Sequence, residues 1–315
     1  MRILFWGTPD FAVPSLSALL GEAHEVVAVV TQPDRPAGRG RELRAPPVKI
    51  AARDEGIAVL QPERARDPSF VAQIRELAPE ISVVIAYGQI LSREVLYIPQ
   101  HGSINAHASL LPELRGAAPI NWAIVRGMSV TGVTVMRMVE KMDAGPMLYQ
   151  VKEPIGAEES ASDLWSRLSE ISAEALVETL ALIEGGALTE EPQDEARATY
   201  APRIHRDDAR VDFTRDAVSV SNHIRGMDAS PGAWTLCNGE ELKLFRPRPA
   251  PAHVHHTEPG RVLAASPVNP EEGLLIACGS GAVSVREVQV PGKRRMPAAD
   301  WLRGRGVVLG DQLGA

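Results

Sequence analysis

Apolar residues in the first part of the chain come in short, unbroken runs that end at glycine, proline or a polar residue. ILFWGT (Ile3 to Thr8), EVVAVVT (Glu25 to Thr31), IAVLQP (Ile57 to Pro62) and ISVVIAYG (Ile81 to Gly88) show no polar alternation. Such runs predict strands buried on both faces. Helical stretches separate them. One runs from Pro9 to about Leu20, with Pro14 able to delay its start; others lie near Val48 to Glu55 and over Pro68 to Leu77. Strands alternating with helices predict an α/β fold, a doubly wound, mostly parallel sheet covered on both sides. Ligands of such sheets sit beyond the carboxyl ends of the strands. Gly7, Gly88, Asn105 and His107 all fall there.

The stretch Ser103 to Gly145 predicts a strand over Ser103 to Ala106, a stiff loop (Ala108 to Arg115) and a helix (about Ala118 to Arg126). A β-type run, Thr131 to Met138, then leads to a turn carrying Asp143. Further on, Ser160 to Asp163 fits a capping box, and Leu164, Leu168, Ile171, Leu176, Leu180 and Ile183 keep helical spacing until Gly185 and Gly186 stop it. Residues 187–205 are polar, acidic and aperiodic, and read as a linker. Beyond it, Thr214 to Arg225 looks helical. Short β-like runs follow at Ala233 to Cys237, Glu241 to Phe245, Gly260 to Ala265, Leu274 to Cys278 and Ala282 to Val290, separated by turn signals such as Asn238-Gly239. They predict a smaller β-barrel of the oligonucleotide-binding (OB) type. The expected domains are therefore 1–186 and 206–315, joined by 187–205.

Composition adds limits. No apolar run approaches the roughly 20 residues that cross a bilayer, and the opening MRILFWGT enters a strand without a signal-peptide pattern. Cys237 and Cys278 are far apart and form no CxxC pair, so reduced thiols and a cytoplasmic location are expected. The net charge of −7 argues against a general nucleic-acid binder, yet two stretches run the other way. Pro33 to Lys49 holds five basic and two acidic residues, and Val285 to Arg305 six against two. Basic stripes on an acidic protein suit an anionic partner gripped at one place.

Familiar chemistries are absent from the pattern. Gly7-Thr8-Pro9-Asp10 lacks the GxGxxG of dinucleotide sites, Pro291-Gly292-Lys293 lacks the upstream glycine of a P-loop, and there is no HExxH or GxSxG. His253, His255 and His256 lie in a proline-rich loop without ligand spacing, so no metal is expected. What remains is an amide, an imidazole and a carboxylate at neighbouring strand ends: Asn105, His107 and Asp143. Asn105 and His107, two apart, share one face of a strand. Together the three can stabilise an oxyanion and move a proton. A strand-end histidine can equally be a structural hydrogen-bonder and Asp143 a plain turn residue, and the trio by itself leaves both readings open.

The company of these residues is more specific. The pattern N-x-H-x-SLLP, followed by RGAAPINWAI, TGVTVMRM and a D-x-G turn at Asp143, resembles the folate-dependent formyltransferases. FWGTPDFAVPSL, TQPDRPAGRGR, VVIAYGQIL and PGKRRM extend the likeness over nearly the full length. The resemblance implies a formyltransferase domain followed by a tRNA-binding OB-like domain. It implies formyl transfer from 10-formyltetrahydrofolate to the amino group of methionine on initiator tRNA, with Asn105 and His107 facing the oxyanion and Asp143 taking the proton. It places the pterin against Ala86, Tyr87, Gly88, Gln89, Ile90 and Leu91 and the loop Ser109, Leu110, Leu111 and Pro112. It assigns the tRNA to Arg35, Arg39, Arg41 and Arg44 and to Lys293, Arg294 and Arg295. A monomer is expected. Rival readings are a formyltransferase acting on a small amine, such as an amino-sugar nucleotide or glycinamide ribonucleotide, and an RNA-binding module with an inactive α/β domain. A nicotinamide dehydrogenase stands further off for want of the glycine fingerprint.

Overall fold

The computed structural model describes residues 1–22, 24–37, 42–254, 256–266, 273–304 and 307–314. Along the chain come β1 (Arg2–Gly7), α1 (Val13–Gly21), β2 (Glu25–Val30), β3 (Arg35–Ala37), β4 (Glu42–Arg44), α2 (Pro47–Asp54) and β5 (Val59–Leu60). Then follow α3 (Pro68–Leu77), β6 (Ile81–Ile85), α4 (Arg93–Leu96), β7 (Ser103–His107), α5 (Pro119–Val125), β8 (Val130–Arg137), β9 (Met147–Pro154) and α6 (Ala161–Glu184). Two compact units result. The first holds Met1–Gly116, Thr131–Glu153 and Trp165–Tyr200; the second holds Ala117–Val130, Pro154–Leu164 and Ala201–Ala315.

The first unit is built on a seven-stranded sheet in the order β5-β2-β1-β6-β7-β8-β9. Its first five strands are parallel, and β8 runs antiparallel to β7. Four of these parallel strands, β5, β2, β1 and β6, come from the apolar runs of the sequence; all five residues of β6 are buried. Trp6 anchors one face, with its ring edge-on to Phe70 and Tyr87 and its indole N–H donated to Ser82 Oγ at 3.2 Å. Burying such a side chain contributes roughly 4–6 kcal/mol at about 25 cal/mol per Å². Strand order reverses between β1 and β6, which is where such sheets open a crevice. Gly7 closes β1 there because a Cβ would lie 2.8 Å from Ala12 Cβ. Ser160 and Asp163 form the predicted box at the start of α6, Oγ to Oδ2 at 2.7 Å and Asp163 N to Oγ at 3.3 Å.

β9 was not anticipated. It is an edge strand whose alternate residues are exposed, so it has no apolar run to betray it. The basic stretch after β2 carries an antiparallel ribbon of β3 and β4 that pairs Arg35 with Arg44. Proline and arginine there hide the strand signal, and the ribbon buries almost nothing: Leu43 is 71% exposed. Its base is clamped by buried Lys49, whose Nζ donates to both carboxylate oxygens of Asp34 at 2.7 Å. Gln61 and Lys49 together hold the Asp34 carboxyl below the usual carboxylate range.

The second unit contains α5, α7 (Ala217–Gly226), β10 (Trp234–Cys237), β11 (Glu240–Ala250), β12 (Val262–Ala265), β13 (Leu274–Ala277), β14 (Ala282–Gln289), β15 (Met296–Pro297) and α8 (Ala298–Gly304). Its strands form one curled antiparallel sheet, β10-β11-β14-β13-β12, with β15 on β14. This is an OB-like half-barrel. Asn238 and Gly239 take left-handed φ of 52° and 78°, the hairpin geometry their dipeptide predicts. Ile224, Leu244, Val262, Ile276, Val285 and Trp301 share its core. Among the described residues no helix is long and apolar enough to cross a membrane.

Candidate active site

Parallel pairing sets Asn105 of β7 beside Val84 of β6, and the Asn105 Nδ2 donates to the Val84 carbonyl at 3.0 Å. An amide carries two N–H bonds, and this contact engages one of them. Two residues on, His107 is 7% exposed, and its Nε2 lies 2.9 Å from the Leu114 carbonyl. A carbonyl only accepts, so Nε2 carries hydrogen and Nδ1 is the nitrogen left for other partners. That Nδ1 lies 3.8 Å from Asp143 Oδ2. The gap exceeds a direct hydrogen bond and suits a bridging group. Asp143 therefore lies near the imidazole, while Leu114 supplies the contact that fixes the tautomer. The same Oδ2 accepts from the Gly116 amide at 2.8 Å.

The Ser109 to Pro112 loop is stiffer than proline alone requires. Thr134 on β8 donates Oγ1 to the Ser109 carbonyl at 2.7 Å and accepts from the Leu111 amide at 3.0 Å. Gln150 on β9 donates to the Leu111 carbonyl at 2.9 Å. Ser109 Oγ donates to the Glu113 carbonyl at 2.6 Å. Ser109, Leu111 and Pro112 are buried and Leu110 is half-buried. Gly132 passes so close that a Cβ there would overlap the Val151 carbonyl and Leu110.

At the end of β6, Ala86 and Gly88 take left-handed φ of 47° and 90°, turning the chain across the sheet edge. Tyr87 points into the core, and burial pushes its phenol up to about 12. Thr8 Oγ1 ties the two central strands together by donating to the Tyr87 carbonyl at 2.9 Å. Gln89 accepts from the Ala65 amide at 3.0 Å, and Leu91 is buried. Ala86, Gly88 and the side chain of Ile90 are exposed. The turn thus presents mainly backbone, which suits the donor and acceptor edge of a flat heterocycle.

Of the basic residues, Arg39 and Arg41 lie outside the described residues. Arg35 and Arg44 are exposed on the ribbon, Arg35 donating to Gln32 Oε1 at 3.2 Å. In the second unit Lys293 and Arg294 are exposed. Arg295 is engaged: Nη1 contacts the Asp228 carboxylate at 2.9 and 3.1 Å, Nε contacts Glu287, and the guanidinium lies 4.2 Å from the Phe245 ring centre. Burial raises the Asp228 carboxyl above its ordinary value despite that arginine.

Sequence reasoning missed the residues that brace this site. Arg115 is 1% exposed and reaches Gln193 and Glu195, while Thr199 holds Leu114 and Arg115. All three partners fall in the presumed linker, whose first fourteen residues, 187–200, pack with the first unit. Its length was the available signal, because so long a connection seldom stays idle. Glu195, hydrogen-bonded first by Arg115 and then by Lys141, is held down to about 2. Among the described residues no group of three or more His, Cys, Asp or Glu is placed to hold a metal ion.

Two family models match the chain. The family described as "Formyl transferase" matches residues 1–180, and "Formyl transferase, C-terminal domain" matches 203–306. Methionyl-tRNA formyltransferase of Geobacter sulfurreducens (strain ATCC 51573 / DSM 12127 / PCA) is 46% identical over 314 residues, covering 100% of this chain and 97% of the relative. The enzyme of the same name from Thermobifida fusca (strain YX) is 46% identical, with 100% and 99% covered. Among solved structures, HypX from Aquifex aeolicus in complex with tetrahydrofolic acid aligns with a TM-score of 0.65 at 22% identity, over 96% of this chain and 47% of that one. An N-formyltransferase from Helicobacter canadensis, in complex with folinic acid and dTDP-3-aminofucose, gives 0.69 at 17%, over 90% and 98%. The chain belongs to the formyltransferase family.

Proposed function

We propose that this chain transfers the formyl group of 10-formyltetrahydrofolate to the amino group of methionyl initiator tRNA, in the cytoplasm and as a monomer. The observation that carries the reading is likeness over the whole chain, at 46% identity, to relatives named for that reaction. The strand-end trio supplies a chemistry that fits. Residues 1–186 would hold the transfer site and 206–315 the tRNA-binding surface, with 187–205 between them.

The folate supplies the formyl group. Amine attack on the formyl carbon puts negative charge on the oxygen and positive charge on the nitrogen; after the amine loses its proton, collapse of the adduct would break the bond from the formyl carbon to the folate N10, which leaves protonated as tetrahydrofolate. Asn105 would donate its second N–H to that oxygen. His107 has Nε2 committed to Leu114, so donation from Nδ1 requires the imidazolium form. Asp143, 3.8 Å from His107 Nδ1, would take the amine proton directly or through water. The exposed turn of Ala86, Gly88 and Ile90 and the rigid 109–112 loop would receive the pterin. Arg35, Arg39, Arg41 and Arg44 and the exposed Lys293 and Arg294 would meet tRNA phosphate, with Arg295 shaping that surface through Asp228 and Glu287.

Incubating the chain with 10-formyltetrahydrofolate and methionylated initiator tRNA should yield formylmethionyl-tRNA. Formylation of an amino-sugar nucleotide or glycinamide ribonucleotide, with none of the tRNA, would reject the proposed acceptor. An absence of any formyl transfer would reject the enzyme reading.

A further inference from the structure

Gln193 lies 50 residues beyond Asp143 in the sequence and touches the turn that carries it. Its Nε2 donates to the Asp143 carbonyl at 2.9 Å and to the Gly145 carbonyl at 2.8 Å. Its Oε1 accepts from Arg115 Nε at 3.0 Å and Nη2 at 2.7 Å. Carbonyls only accept and a guanidinium only donates, so the amide can sit only this way round, with all four of its bonding capacities used. Arg115 in turn donates from Nη2 to Glu195 Oε1 at 3.0 Å.

The turn needs such a hold. Asp143 adopts a left-handed φ of 49°, a region that non-glycine residues enter only against a steric penalty. Gly145, two residues on, abuts the Arg137 carbonyl so closely that no Cβ fits. In this conformation the carboxylate meets the Gly116 amide and faces the His107 side. A second arm of the same segment reaches the opposite wall. Thr199 Oγ1 accepts from the Leu114 amide at 2.9 Å, and its carbonyl accepts from the Arg115 amide at 2.9 Å. Leu114 is the residue whose carbonyl orients His107. Residues 193–199 therefore tie down the two walls whose separation sets the distance from imidazole to carboxylate.

We infer that Gln193 is a positioning residue for formyl transfer: with Arg115 behind it, it holds the Asp143 turn so that the carboxylate faces His107. The inference rests on the reading of Asp143 as proton acceptor. Gln193 touches no reacting atom, and its effect passes through Asp143. A displacement of about 1 Å at such a group lowers rate by up to roughly 100-fold.

The test compares Gln193→Glu, Gln193→Leu, Asp143→Asn and the double variant Gln193→Glu/Asp143→Asn. Gln193→Glu keeps the shape and the acceptor for Arg115 but has no N–H for the two carbonyls; Gln193→Leu removes both arms. In steady-state formylation of methionyl initiator tRNA, kcat should fall roughly 10- to 100-fold in each single Gln193 variant, with KM for either substrate within about threefold. The double variant should be no slower than Asp143→Asn, because the two residues act through one carboxylate. A Gln193→Glu enzyme with unchanged kcat, or a double variant whose losses multiply, overturns the inference. A readout without turnover separates it from the assignment of substrate. The ¹⁵N resonance of His107 Nδ1 should move in Gln193→Glu, and in Gln193→Leu should Gln193→Glu not fold. An unmoved resonance in a folded variant sinks the positioning role whatever the acceptor. A moved resonance in a chain that formylates no tRNA rejects the acceptor and leaves the role standing.

Discussion

The strand ends around His107 and the basic turn around Lys293 hold their polar groups in opposite ways. Asn105, His107 and Asp143 are each tied by side chain to a backbone group, at Val84, Leu114 and Gly116. Their freedom is removed before any substrate arrives, as pre-organised chemistry requires. Lys293 and Arg294 stand exposed, and only Arg295 is locked, by Asp228 and Glu287. The contrast teaches what to expect from mutation. A tied group should matter to rate in all-or-none fashion, whereas an exposed cation should matter a little and in proportion to salt.

The sharpest way to break the contrast is at the trio. Asn105→Ala, His107→Ala and Asp143→Asn should each lower kcat by about 10²–10³ while circular dichroism stays native. A folded Asp143→Asn enzyme of ordinary rate would remove Asp143 as proton acceptor. Next in size is Gly145→Ala. The added methyl meets the Arg137 carbonyl, so the turn must shift. A loss of about 2–4 kcal/mol in denaturant unfolding, together with lost activity, is expected. An unaltered midpoint would mean the turn is looser than its contacts imply.

On the basic surface, Arg295→Ala should lower the unfolding midpoint, because it strands the buried Asp228 carboxylate. Lys293→Ala and Arg294→Ala should leave the midpoint in place. Each should weaken tRNA binding a few-fold and reduce the slope of log affinity against log salt by about one. Equal midpoints for all three variants would erase the distinction between locked and free cations.

The smallest effect is one of pH. Glu195 titrates near 2 when folded against an ordinary 4.5, held down by Arg115 and Lys141. A depressed carboxyl contributes stability that is present above the ordinary value and lost as pH falls through the folded one. The wild-type chain should therefore lose more of its unfolding midpoint between pH 4.5 and 2 than Glu195→Gln does. The contribution is small because the group is exposed to solvent. Parallel pH curves for the two proteins would dismiss it.

Much of this was legible beforehand. Buried strands advertise themselves by unbroken apolar runs, and the box at Ser160, the hairpin at Asn238-Gly239 and the pair Asn105 and His107 are local patterns. β9 and the β3–β4 ribbon were not legible, because edge and ribbon strands bury too little to need an apolar signature. Gln193, Glu195 and Thr199 looked like linker residues, for a polar residue bound to a distant backbone group has no period to reveal it.

The chain's own order of residues decides that a parallel-rich sheet forms and that an amide and an imidazole share one strand face. These follow from interactions between near neighbours and from the face each strand must bury. Only the folded molecule decides which nitrogen of His107 is left over, how far the carboxylate stands from it, and that Gln193 holds the turn. The contact of His107 with Leu114 spans 7 residues across a loop and that of Gln193 with Asp143 spans 50, and in each the partner and distance are set by packing rather than by a local period.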